Sequence, residues 1–180
     1  MLKLTIPCVE IYDPEENLFI NTKEQTIAVE HSLVSISKWE SKWKKPFLSK
    51  APKTIEELRD YVRCMTLTQN VDPDLYKFLP ESVLDAVLKY IDDPMTATWF
   101  TEDKSKPKSR EVITSEIIYY WMIAQGIPFE CQKWHLNRLL TLIRVCSEKN
   151  APTKKMGKKD LMSRNRALNA ARRKAHHSKG

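Results

Sequence analysis

The stretch TSEIIYYWMIAQGIPFECQKWHLNRLLTLIR, residues Thr114 to Arg144, decides the fold class. Its first half is apolar almost all round, with Ile117, Ile118, Tyr119, Tyr120, Trp121, Met122 and Ile123 in one run. A run of that length closed by Gly126 and Pro128 reads as a helix over 114–125, because glycine suits the left-handed C-terminal position and proline cannot continue the ladder. The second half places Leu136, Leu139, Leu140 and Ile143 at helical spacing, so a second helix is expected over 129–148. A short link between them predicts a helical hairpin at the centre of the protein.

Working back along the chain, further helices announce themselves by their starts. Thr54-Ile55-Glu56-Glu57 is a capping box, in which the threonine hydroxyl and the Glu57 carboxylate each satisfy a backbone N–H at the helix start. Ile55, Leu58, Val62 and Met65 then form an apolar stripe. Ser32 is a cap for a helix carrying Ile36, Trp39 and Trp43, with Pro46 as its stop. Asp72-Pro73 opens a short helix to Phe78. Pro80 opens the next, with Leu84, Val87, Leu88 and Ile91 on one face and Asp92-Asp93-Pro94 at its end. Residues 95–100 read as irregular, and 101–110 (TEDKSKPKSR) as an exposed polar loop.

The first thirty residues differ in period. Leu2-Lys3-Leu4-Thr5-Ile6 alternates with period two, Leu18–Ile20 and Thr26–Val29 are further strand candidates, and Asp13-Pro14-Glu15-Glu16-Asn17 is turn chemistry. The expected architecture is therefore mainly α. It has a small N-terminal β-hairpin or meander over 1–30, a compact helical domain over 31–152, and a basic C-terminal extension over 153–180.

Charge is segregated along the chain. The 180 residues carry a formal net charge of +7. From Lys154 onward, six lysines and four arginines stand against the single acid Asp160, a segment charge of +9 that leaves the preceding residues at −2. Leu161, Leu168 and Ala171 give this tail only a thin apolar strip. Residues 160–174 are a helix candidate, but such a strip buries too little to hold an isolated helix, so the tail is expected to fray unless a partner orders it. Cationic segments of this kind bind phosphate backbones, dock on acidic protein surfaces or serve as solvated tails without a partner. The candidate contact residues are Lys154, Lys155, Lys158, Lys159, Arg164, Arg166, Arg172, Arg173 and Lys174.

Catalytic and metal chemistry find little support. Three glycines leave no phosphate-cradling loop. Cys8, Cys64, Cys131 and Cys146 are widely spaced, and an N-terminus with acids where an apolar leader core would stand points to a reducing compartment and free thiols. No apolar run nears the roughly 20 residues that a membrane span needs. Cys131 and His135 are one helical turn apart, yet two ligands are not a metal site and the pair lacks an orienting third group for thiolate catalysis. The acid pairs Glu15-Glu16, Glu56-Glu57 and Asp92-Asp93 each have a local role as turn, first helical turn or helix end. Neither enzyme activity nor a metal or cofactor is expected. Trp39 and Trp43, flanked by Lys38, Lys42, Lys44 and Lys45, read as an amphipathic face for core or partner packing, with base stacking as the alternative.

Three stretches carry a family likeness: Glu30 to Glu40 (EHSLVSISKWE), Trp134 to Leu140 (WHLNRLL) and Arg164 to Arg173 (RNRALNAARR). In them the chain resembles small proteins encoded in the tail-gene modules of tailed bacteriophages, many of which are read as tail assembly chaperones. The resemblance implies a non-enzymatic protein that coats the helical tape-measure protein and helps recruit tail-tube subunits in the host cytoplasm. A minor structural protein of the virion's tail or connector is the other role such a module offers. On either, Trp39 and Trp43 are the expected partner surface.

Overall fold

The structure is a computed structural model and describes residues 1–8, 10–13, 17–21, 24–100, 111–151 and 157–177. The chain divides into two compact units, Met1–Glu148 and Lys149–Gly180. The first contains β1 (Leu2–Ile6), β2 (Glu10–Asp13), β3 (Leu18–Asn21), β4 (Gln25–Val29), and helices α1 (Leu33–Trp43), α2 (Ile55–Met65), α3 (Asp74–Lys77), α4 (Glu81–Ile91) and α5 (Ser115–Ala124). A 3₁₀ segment (Phe129–Lys133) and α6 (Leu136–Asn150) follow, and α7 (Lys158–Ala175) lies in the second unit. The protein is mainly helical with a small N-terminal antiparallel β element, as the sequence predicts.

The strands nest. β1 pairs antiparallel with β4, Leu4 opposite Ile27, and β2 pairs antiparallel with β3, Ile11 opposite Ile20. Leu4, Ile6, Ile27 and Val29 are all buried on one face, which is the period-two pattern read from the sequence. On the other face the hydroxyls of Thr5 and Thr26 meet at 3.2 Å. The turn expected over 13–17 lies largely outside the described residues, as does the loop over 101–110.

Both expected caps are built. Ser32 Oγ accepts from the Ser35 N–H while Ser35 Oγ accepts from the Ser32 N–H. Thr54 and Glu57 exchange the same pair of bonds at the start of α2. At the end of α5, Gly126 takes φ 65°, the Ile127 N–H reaches Met122 O and the Gly126 N–H reaches Ile123 O. These are the two bonds of a Schellman ending, and glycine occupies the position where a side chain would strain the backbone.

Four expectations need correction. α1, rather than an α5–α6 hairpin, is the hub: it packs against α2, α5 and the 3₁₀ segment. Leu33, Ile36 and Trp39 on α1 are fully enclosed, whereas Tyr120 and Ile123 on α5 are 66% and 64% exposed. The helix expected over 129–148 is broken before Leu136. His135 forms a β-bridge with Ser32, and the Leu136 N–H donates to His31 O at 2.7 Å, so tertiary bonds replace the helical ladder there. The apolar stripe of α2 is rotated from its expected centre. Ile55 is exposed while Glu57, Tyr61 and Cys64 are buried with Val62 and Met65, because polar bonds to α1 hold that side inward. On α4, Leu88 is exposed and Tyr90 takes its place in the interior.

In the tail, where the sequence offers a helix over 160–174, α7 is a helix of 18 residues. Ala167, Ala170 and Ala171 are strong helix formers, Asp160 lies in the first turn, and Arg172, Arg173 and Lys174 complement the dipole in the last. Counting only the apolar strip overlooks these local terms.

Candidate functional site

The unit Met1–Glu148 has a polar interior centred on His31. Its Nδ1 is 2.5 Å from the Tyr61 hydroxyl, which is 3.2 Å from Ser35 Oγ, and Ser35 Oγ donates to Ser32 O at 2.7 Å. A carbonyl can only accept, so the serine hydrogen is committed. With all three contacts taken as hydrogen bonds, Tyr61 donates to Ser35 and His31 donates from Nδ1 to Tyr61. The chain of bonds runs one way, His31 to Tyr61 to Ser35 to Ser32, with every donor used.

His135 stands edge-on to His31, ring centroids 5.1 Å apart. Its Nε2 donates to Tyr90 O at 3.0 Å and its Nδ1 accepts from the Asn137 N–H. Asn137 Nδ2 donates to Ile91 O and Asp93 O, so α6 caps the end of α4. Burial, reinforced by the facing His135, drives the His31 pKa down to about 3, and burial pushes the Tyr61 phenol up. His31 is therefore neutral at pH 7 and is 1% exposed. This cluster ties α1, α2, α4 and α6 together; a substrate has no access to its imidazole.

Cys131 and His135 are both buried, but Cys131 lies in the 3₁₀ segment and both nitrogens of His135 are committed to the protein. Among the described residues, no group of three or more His, Cys, Asp or Glu could hold a metal ion. Of the acid pairs, Glu57 is buried and bonded to Lys45 and to the Thr54 N–H, which hold its carboxyl below the usual range. Asp93 lies at the α4 end, and Glu15 and Glu16 lie outside the described residues.

Of the core and partner packing that the sequence allows for the two tryptophans, the structure shows core packing for Trp39. Trp39 is 1% exposed, donates Nε1 to Glu57 O at 2.9 Å, and packs edge-on to Phe47. Trp43 is half-buried, stacks on Trp39 and donates to Asp60 Oδ2 at 2.8 Å. Their three- and seven-residue offsets from Ile36 point them at α2, and two of the lysines around them pair inward: Lys42 with Asp60 and Lys45 with Glu57. Trp39 is a core anchor, and Trp43 closes the same seam at its rim.

Exposed apolar surface lies elsewhere. Tyr120 and Ile123 share the outer face of α5, and Phe129, 53% exposed, stands 6.3 Å from the Tyr119 ring. The unbroken apolar run concealed this face, since it gave no period from which to pick an outward side.

In the second unit, Lys159 and every residue from Asp160 to His177 are exposed. At 100° per residue, Lys159, Arg166 and Arg173 fall in one line along α7. Leu161, Leu168 and Ala175 fall in a second line on the opposite side, and both repeat every seven residues. Arg164, Arg172 and Lys174 lie between these lines. Lys154 and Lys155 lie outside the described residues, as does the side chain of Lys158.

No helix among the described residues is long and apolar enough to cross a membrane. No protein family, curated protein or solved structure matches this chain.

Proposed function

We propose that this chain is a non-enzymatic tail morphogenesis protein of a tailed bacteriophage, acting through protein–protein contacts as an assembly chaperone for the tape-measure protein. The observation that carries the reading is α7. An exposed helix with a heptad-spaced apolar line, Leu161–Leu168–Ala175, is suited to lie along another helix, and a tape-measure protein is a long helical partner. The likeness of residues 30–40, 134–140 and 164–173 to phage tail-module proteins supports the same reading. The outer face of α5 supplies a second apolar surface of the kind that protein partners cover. Co-purification with a tape-measure protein from the same phage is the direct test. Failure to bind, or recovery of the chain from purified virions, rejects the chaperone role; recovery from virions favours the minor structural role.

A second reading rests on the line Lys159–Arg166–Arg173, which suits a phosphate backbone. On that reading α7 binds RNA or DNA, affinity falls steeply with salt, and removal of residues 154–180 abolishes it. Retention of nucleic acid by the shortened chain removes this alternative.

A further inference from the structure

His31 and His135 stand shortly before α1 and α6, and the two helix starts are joined there. Ser32 and His135 form a β-bridge, and the Leu136 N–H donates to His31 O. The imidazoles of the same two residues are both buried and lie edge-on, centroids 5.1 Å apart. Asn137 extends the join to the end of α4 through Ile91 O and Asp93 O.

The side-chain bonds at this seam suit neutral rings. His135 uses one nitrogen as a donor to Tyr90 O and the other as an acceptor for the Asn137 N–H. A second proton on that ring takes the lone pair that Asn137 uses. His31 donates from Nδ1 to Tyr61, and a proton on its other nitrogen puts a cation beside the His135 ring in an interior that solvates it poorly. Burial, with His135 adding to it, holds the His31 pKa at about 3.

The acids of the neighbourhood are engaged elsewhere. Glu30 serves the Tyr90 hydroxyl and the Met1 amine, and Glu40 serves the Phe47 and Ser115 N–H groups. On α2, Glu57 holds Lys45 and the Thr54 N–H, and Asp60 holds Lys42, Trp43 and Arg63. Asp93 accepts from the Met95 N–H. Among the described residues none of these carboxylates bonds an imidazole. Tyr61 and Cys64 on α2 and Tyr90 on α4 are each raised by burial, and Cys131 in the 3₁₀ segment is buried too. Lys53 lies over the Phe47 ring that neighbours His31, a cation rather than a counter-charge. Arg59 is turned to Leu79 O, and the other charged side chains of α1, α2, α4 and α6 are exposed.

The geometry points to an acid-operated latch: the His31–His135 pair closes the start of α6 against α1 and α4 while both rings are neutral, and the seam opens when they take protons. Opening gives the rings to water, where an ordinary imidazole takes its proton at about pH 6.5. Leu136 and Leu139, both fully enclosed, hold the seam shut at neutral pH. The α1–α2 contact has no such trigger. Glu57 lies below its ordinary range through its bond from Lys45, and Asp60 does so because bonds from Lys42, Trp43 and Arg63 outweigh its burial. Both therefore stay ionised at pH 5, and the opening is local to the start of α6. The latch is independent of what α7 binds.

Amide hydrogen exchange of the full chain at pH 7.5 and pH 5, corrected for intrinsic rates, reads the latch residue by residue. The Leu136 and Leu139 amides donate to His31 O and His135 O. Their opening constants should rise about thirtyfold or more over this interval, the share that His31 alone supplies. The amide of Val62, inside α2, should change less than about threefold over the same interval. His31→Asn should cut the Leu136 response at least tenfold. Imidazole nitrogen NMR of the unaltered chain is the second measurement, and should find His31 neutral at pH 5 wherever the Leu136 amide is still protected. Equal responses at Leu136 and Val62, which mean that the whole unit unfolds, overturn the latch. So does a flat response at Leu136, an unchanged one in His31→Asn, or a charged His31 under a protected Leu136 amide.

Discussion

Glu40 on α1 accepts a 2.8 Å hydrogen bond from the backbone N–H of Ser115, 75 residues further along, at the first residue of α5. Its other carboxylate oxygen accepts from the Phe47 N–H at 2.8 Å. One buried side chain thus holds the start of the α1–α2 link and the first residue of α5. Glu40→Ala orphans two buried donors at about 1–3 kcal/mol each. The variant should lose about 2–5 kcal/mol in urea unfolding, and Glu40→Gln, which retains one acceptor, should lose less. Equal stability of all three proteins contradicts the staple.

His31 gives the protein an acid limb. Its pKa is held at about 3 in the folded chain against an ordinary 6.5. Below pH 6.5 the unfolded chain takes a proton that the folded chain refuses, so stability falls as pH falls through the window from 6.5 to 3. Between pH 7.5 and pH 5 this group alone should remove on the order of 2 kcal/mol. His31→Asn retains a donor for Tyr61 without titrating. Its unfolding free energy should be lower at pH 7.5 but flatter toward pH 5 than that of the wild type. Parallel pH profiles for the two proteins would show that His31 is not the titrating group.

Trp39 and Trp43 separate core from rim. Trp39→Ala empties a fully enclosed site and breaks the bond to Glu57 O, so a loss of about 3–5 kcal/mol is expected. Trp43→Ala should cost about 1–2 kcal/mol, since its ring is half-exposed and its bond to Asp60 is shared with Lys42 and Arg63. Thermal or chemical denaturation measures both. A Trp39→Ala protein of wild-type stability that fails to bind its partner would restore the surface reading of this residue.

Charge reversal along α7 discriminates between its two readings. Replacing Lys159, Arg166 and Arg173 by glutamate removes one line of cations and leaves Leu161, Leu168 and Ala175 intact. If the helix docks by its apolar line, affinity for the protein partner should fall modestly, with the loss vanishing above about 0.5 M salt. If the helix binds nucleic acid through that line, the slope of log affinity against log salt should become shallower by about two to three.

The sequence carried the elements better than their arrangement. Caps are local, so Ser32, Thr54 and Gly126 announced themselves from four-residue windows, and each is where it was expected. The period-two pattern of β1 was equally legible, while its register against β4 appears only in the structure. Long-range bonds were not. The Ser32–His135 bridge that breaks the last helix, and the Glu40–Ser115 bond that starts α5, join residues far apart in sequence and leave no local mark. The same limit governed the candidate surfaces. Trp39 and Trp43 share one side of a helix, but nothing in their spacing says that α2 covers them. The basic tail was found from composition, with Leu161 and Leu168 already in its apolar strip, and the opposed cationic line Lys159–Arg166–Arg173 appears only once it is drawn as a helix.

The account turns on whether α7 seats its apolar line on a partner helix. Calorimetric titration of the intact chain with the tape-measure protein, beside a chain carrying Leu161→Glu and Leu168→Glu, measures this directly. The prediction is saturable binding by the intact chain and at least tenfold weaker binding by the double variant, with the unfolding transition of the unit Met1–Glu148 unchanged. Equal affinity of the two chains, or no binding by the intact one, would contradict it.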